Sequence, residues 1–127
     1  MKALMNYDIT IKKNSAPWVF SIYAEDDNNV PYDLEGVTAS MQIRRAKHSE
    51  PALITLTVGD GVSIEPVGED DEPEKGVVRL EINEEKMGAL NISCGVYDIL
   101  MTDTNGMTVV LAEGKAIVDI GTTRMEN

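Results

Sequence analysis

Apolar and polar residues alternate without error through Val37-Thr38-Ala39-Ser40-Met41-Gln42-Ile43-Arg44. Successive side chains on a strand point to opposite faces, so Val37, Ala39, Met41 and Ile43 face a core while Thr38, Ser40, Gln42 and Arg44 face solvent or a partner. The same period recurs along the chain. Tyr7 to Lys12 sets Tyr7, Ile9 and Ile11 against Asp8, Thr10 and Lys12. Leu53 to Val58 offers Ile54, Leu56 and Val58 to the core, and Val77 to Ile82 offers Val78, Leu80 and Ile82. A short run, Val62 to Glu65, lies between them. Gly95 to Thr102 carries Tyr97, Ile99 and Met101 in register. Met107 to Ala112 follows, then a last strand with Ala116, Val118 and Ile120 inward.

Two runs depart from simple alternation. In Trp18 to Tyr23, Trp18, Phe20 and Ile22 oppose Val19, Ser21 and Tyr23, so both faces have apolar residues and a central strand is predicted. Val30-Pro31-Tyr32-Asp33-Leu34 contains a proline, which cannot donate to a ladder, and reads as a short edge piece. Turn residues separate the runs: Asn14-Ser15-Ala16-Pro17, Asp26-Asp27-Asn28-Asn29, Glu35-Gly36, Gly59-Asp60-Gly61 and Asp103-Thr104-Asn105-Gly106. Asn83 to Leu90 is the one helical segment. Asn83 suits the N-cap, Glu84 and Glu85 suit the positive end of the dipole, and Met87 and Leu90 share a face. About eight strands with regular turns and one short helix around 83–90 predict an all-β domain. The expected form is a two-sheet antiparallel β-sandwich, Ig-like or jelly-roll-like. Residues 1–127 form one such domain, with 1–5 and 121–127 as extended or frayed terminal arms.

Composition changes this picture in two ways. A chain of 127 residues buries roughly 65% of its unfolded surface, but with one Phe and one Trp its core must be Val, Ile, Leu, Met and Ala. The 22 acids against 11 bases give a net charge of −11, which disfavours nucleic acid and anionic membranes as partners. The single Cys94 forms no internal disulfide, and the residues from Met1 to Asn6 hold no apolar run of signal-peptide length. Synthesis in a cytoplasm is expected.

Candidate chemistry is sparse. His48, the one imidazole, lies in the polar run Ala46-Lys47-His48-Ser49-Glu50 and reads as an exposed loop residue. With a single imidazole, multi-histidine metal sites, Ser-His-Asp triads and Cys-His pairs are not expected within one chain. Cys94, between helix and strand, reads as a small buried thiol with no base to activate it. Asp103 to Gly106 matches half of an EF-hand loop but has no Glu at the twelfth position, so it reads as a hairpin turn. Glu69 to Glu74 is five acids and Pro73, too dense in charge to enter a core, and is expected to project as a hairpin tip. No phosphate-cradling glycine motif occurs. No catalytic residues, metal, cofactor or small-molecule substrate are therefore expected.

Asp8-Ile9-Thr10-Ile11-Lys12-Lys13 followed by Trp18-Val19-Phe20 resembles the opening of a family of small phage and prophage virion proteins, similar to the N-terminal domain of siphophage upper baseplate proteins. The resemblance continues through an acidic turn, a Val-Pro-x-Asp-Leu-x-Gly run and an alternating strand ending in Gln-Ile-Arg, from Asp27 to Arg44. It ends in a Glu-Glu helix, a Gly-x-Tyr-Asp strand and an Asp-x-x-Gly hairpin, from Glu84 to Gly106. The resemblance implies a small β-sandwich in the virion, assembled in the host cytoplasm. Its expected role is that of a tail, baseplate or fibre-base adaptor. A capsid decoration protein and a protein-binding module outside the virion are the alternatives. The implied partners are other virion proteins and further copies of the chain. Candidate contact residues are Pro31 and Tyr32 on the edge piece, and Glu69, Asp70, Asp71 and Glu72 at the acidic tip.

Overall fold

Nine strands and one turn of helix carry the described residues, 5–15 and 17–121, of the computed structural model. The strands are β1 (Met5–Asn6), β2 (Ile9–Lys12), β3 (Trp18–Tyr23), β4 (Thr38–Arg44), β5 (Ile54–Val58), β6 (Gly61–Ile64), β7 (Val77–Ile82), β8 (Cys94–Thr102) and β9 (Thr108–Asp119). Helix α1 (Glu84–Met87) stands between β7 and β8. The sheet order is β1-β9-β8-β4-β5-β6-β7-β3, with β2 continuing along the same side of β9 as β1.

The all-β class is as expected. The hydrogen-bonded order, however, runs through one mixed sheet in place of two antiparallel ones, with β1 and β2 parallel to β9 and β5 parallel to β6. The sheet curls until it is nearly a barrel. At its two edges the ring of Tyr7, between β1 and β2, stacks on Phe20 of β3 with centroids 6.0 Å apart. Alternation reports which face of a strand is buried. It carries no information on whether the strands twist into one curled sheet or separate into two.

Most inward residues lie where the alternation puts them: Ile9, Ile11, Met41, Ile43, Ile54, Leu56, Leu80, Ile82, Ile99 and Val118 are buried. The N-cap is also as expected, with the Asn83 side chain accepting the Lys86 N–H at 2.8 Å while Met87 and Leu90 seal the sheet below. Four positions differ. Val58 is 49% and Ile120 47% exposed, because each sits where its strand's ladder ends. Val37 precedes β4 and is half-buried. Cys94 opens β8 in its solvent-facing phase and is exposed. The two last strands expected are a single β9, in which the pairing skips Leu111: Ile99 faces Ala112 and Leu100 faces Val110. This bulge reverses the phase, so consecutive Leu111 and Ala112 are both buried.

Strand β3 is the end of the sheet and not its centre, which corrects the reading of Trp18 to Tyr23. Its apolar outer residues are exposed: Val19 is 43% and Tyr23 66% accessible. Val30 to Leu34 is no strand of the sheet; it turns back on the chain just beyond β3 through an isolated Glu25–Pro31 bridge. The expected terminal arms fall outside the described residues at 1–4 and 122–127; Met5 belongs to β1.

Candidate functional site

Three connections leave the sheet at one end: β3 to β4, β6 to β7 and β8 to β9. Pairing directions put them together, and a Cβ built on Gly36 would lie 2.8 Å from Thr104 of the third connection. The first two connections, 25–36 and 65–76, carry eleven of the chain's 22 acids and one base, Lys75. This end of the molecule is therefore strongly anionic.

Glu65 ties the two acidic connections together. One carboxylate oxygen accepts the Gly76 N–H at 3.0 Å and the Leu34 N–H at 3.3 Å, while the other lies 3.7 Å from the Lys75 ammonium. The same ammonium lies 3.8 Å from Asp33, so one lysine bridges both connections. Glu65 takes a positive φ of 47°, and its side chain is 9% exposed. The Pro31 segment packs closely here as well: a Cβ on Gly76 would come within 2.9 Å of Pro31, so glycine is needed for the approach as well as for its φ of 76°. Glu65 was missed by reading the sequence, since nothing local separates it from the neighbouring acids.

The structure brings the sequence-predicted contact residues to this one end. Pro31 is exposed, and Tyr32 is half-buried with its ring against the core. Glu69, Asp70, Asp71 and Glu72 are exposed at the tip of a hairpin closed by a Val67–Pro73 bridge. The tip closes on local hydrogen bonds: Gly68 N–H donates to Glu72 O at 2.9 Å, and the Glu72 N–H donates to the Asp70 side chain, Oδ1, at 3.2 Å. The third connection is the hairpin expected, with Asp103 Oδ1 accepting the N–H groups of Asn105 and Met107, both at 2.9 Å.

A second feature lies on the outer face of β4, β8 and β9, a cleft of about 500 Å³. Asp98 of β8 stands directly opposite Glu113 of β9, with Gln42 of β4 beside it. Two carboxylates abreast are unfavourable. Partial burial, then Glu113, push the Asp98 carboxyl above the ordinary carboxylate range against the pull of Arg44 and Lys47. The Arg44 guanidinium is held by Gln42 Oε1 at 2.9 Å and the Ser49 carbonyl at 2.6 Å. At the rim, β1 and β2 keep one register on β9 but their ladder is interrupted at Tyr7 and Asp8. There Asp8 Oδ1 accepts the Lys115 N–H at 2.9 Å, and the Tyr97 hydroxyl donates to the Tyr7 carbonyl. Gly114 makes room, since a Cβ on it would sit 2.3 Å from that carbonyl. Burial, then Asp8, Tyr7 and Glu113, push the Tyr97 phenol up to about 12.

His48 is exposed on the β4–β5 connection. Among the described residues, no group of three or more His, Cys, Asp or Glu side chains is placed to hold a metal ion, and no helix is long and apolar enough to cross a membrane. No protein-family model matches the chain, and no curated protein matches it.

Proposed function

We propose that this chain is a non-enzymatic structural protein of a phage particle, an adaptor at the tail, baseplate or fibre base that acts through protein–protein contacts. In this reading it assembles in the host cytoplasm and works in the virion, beside other virion proteins and further copies of itself. Its curled sheet, closed on a single core, serves as the two layers of an Ig-like or jelly-roll sandwich. The observation that carries the reading is the acidic end, where two connections are tied by Glu65 and Lys75 and present Pro31, Tyr32 and the Glu69–Glu72 tip together. A surface fixed in this way spends little entropy on docking, and its charge steers a basic partner patch. The Val-Pro-x-Asp-Leu-x-Gly run of the resemblance forms one of these tied connections and ends at Gly36, whose φ is 79°.

Quantitative mass spectrometry of purified, fractionated particles tests the location. Multiple copies in the tail fraction are expected. Copies confined to heads would replace this reading with capsid decoration, and absence from particles with a host-directed binding module. Replacing Glu69, Asp70, Asp71 and Glu72 with Ser tests the surface. The variant is expected to keep its melting temperature and to assemble more weakly, more so at low salt than at high salt. Assembly unchanged at low salt would remove the acidic tip from the contact.

A further inference from the structure

The outer cleft carries an inference independent of the virion reading. Its floor is two cross-strand rows set by the sheet register. Gln42, Asp98 and Glu113 stand abreast in one row, and Arg44, Val96 and Lys115 in the other. Ile43 and Tyr97, which separate the rows along β4 and β8, point into the core, so both rows share the outer face. Same-face neighbours on a strand lie about 6.6 Å apart, and an anionic row therefore runs beside a cationic one at that spacing.

Charge is balanced in the cleft although it is not balanced in the chain. Arg44, Lys47 and Lys115 line it together with Asp8, Asp98 and Glu113, in a chain with 22 acids and 11 bases. These opposite charges do not satisfy one another. The Arg44 guanidinium is drawn aside by Gln42 Oε1 and the Ser49 carbonyl, and Gln42 is itself held by donating to Thr55 Oγ1 at 3.3 Å. Asp8 is committed to the Lys115 backbone N–H. Among the described residues, neither Asp98 nor Glu113 forms an ion pair. Two carboxylates abreast repel, and a cation placed between them from outside relieves both.

We propose that this cleft binds a ligand with an ammonium and a carboxylate at the two ends of a short aliphatic chain. That is the chemistry of a free ω-amino acid and equally of a lysine at a protein C-terminus. The ammonium sits between Asp98 and Glu113, and the carboxylate meets Arg44 and Lys115 in charge-assisted hydrogen bonds. The methylenes lie along β8 over Val96, which is half-buried between the two bases. An α-amino acid such as glycine holds its charges too close together to reach both rows. The volume of about 500 Å³ suits a small ligand and leaves room for the backbone that leads to a terminal lysine.

An NMR titration of the full chain tests this, read at the Val96 methyl groups and the Asp98 and Glu113 amides. ε-Aminocaproate is expected to shift them saturably. Caproate and pentylamine, which carry one charge each, should bind about tenfold more weakly through loss of one charge-assisted contact. Asp98→Asn combined with Glu113→Gln should erase the preference for ε-aminocaproate over caproate, and Arg44→Gln should reduce its preference over pentylamine. An acetylated peptide ending in lysine identifies the source: tighter binding than ε-aminocaproate assigns the cleft to a protein C-terminus, and weaker binding to a free amino acid. No saturable shift with either ligand overturns the proposal. So does caproate or pentylamine binding as tightly as ε-aminocaproate, or a peptide amide binding as tightly as the peptide acid. A preference over caproate that survives the double carboxylate variant refutes it as well. If Arg44→Gln unfolds, Lys115→Gln, at an exposed position, decides: a reduced preference over pentylamine supports the site, and an unchanged one refutes it.

Discussion

Replacing Glu65 with Ala removes the tie between the two acidic connections, and its cost follows from the geometry. Two backbone N–H groups lose their acceptor, those of Leu34 and Gly76, and both residues are buried. An unsatisfied buried donor costs about 1–3 kcal/mol. The Gly76 bond, at 3.0 Å, should be near the middle of that range, and the Leu34 bond, at 3.3 Å, near its foot. The lysine adds little, because Lys75 is 58% exposed and an ion pair in that setting contributes ~0–1 kcal/mol. Together about 2–4 kcal/mol of stability should be lost, a large share of a small domain's total. Urea unfolding of Glu65→Ala, Glu65→Gln and Lys75→Ala separates the contributions. Glu65→Gln keeps a neutral acceptor and should fall between the natural protein and Glu65→Ala. Lys75→Ala should lie within about 1 kcal/mol of the natural protein. The reasoning fails if Glu65→Ala unfolds at the natural urea concentration, or if Lys75→Ala costs as much as Glu65→Ala. Either result would mean that the two connections hold their arrangement without the carboxylate.

Two further outcomes follow from the outer cleft. Asp98 holds its proton more tightly when folded than when unfolded, so its contribution is favourable in acid and is lost as pH rises through the raised value. Asp98→Asn should therefore be more stable than the natural protein at neutral pH, by ~0.2–1 kcal/mol, with the gain vanishing in acid. Thermal melts across pH check this, and a variant less stable at neutral pH would show that Arg44 and Lys47 outweigh Glu113. Tyr97→Phe should cost about 1–3 kcal/mol by leaving the Tyr7 carbonyl without its donor, and should speed hydrogen exchange in β2. Because the folded phenol titrates at about 12, above its unfolded value, the natural protein should lose stability as pH rises past about 10. Tyr97→Phe should lack that loss, and a parallel decline in both proteins would refute the assignment.

Features set by near neighbours along the chain were legible in the sequence. Period-2 alternation identified the buried faces of β4, β7 and β8, because the side of a strand on which a residue lies depends only on its neighbours. Asn83 at the N-cap and Asp103 in its hairpin were legible for the same reason, since each bonds backbone within four residues. The acidic tip was legible from charge density, which bars burial in any fold. Whatever depends on distant partners emerged in three dimensions. Strand β3 reads as central from its two apolar faces and is an edge because β7 is its one neighbour among the described strands. The β9 bulge exists because two phases of one strand must both meet β8. Glu65 became the tie between connections, and Asp98 the neighbour of Glu113, through pairings that no local pattern encodes. Strand pairing and sheet curvature are properties of residues tens of positions apart. A curled single sheet and a two-sheet sandwich therefore share one alternation, and folding in three dimensions chooses between them.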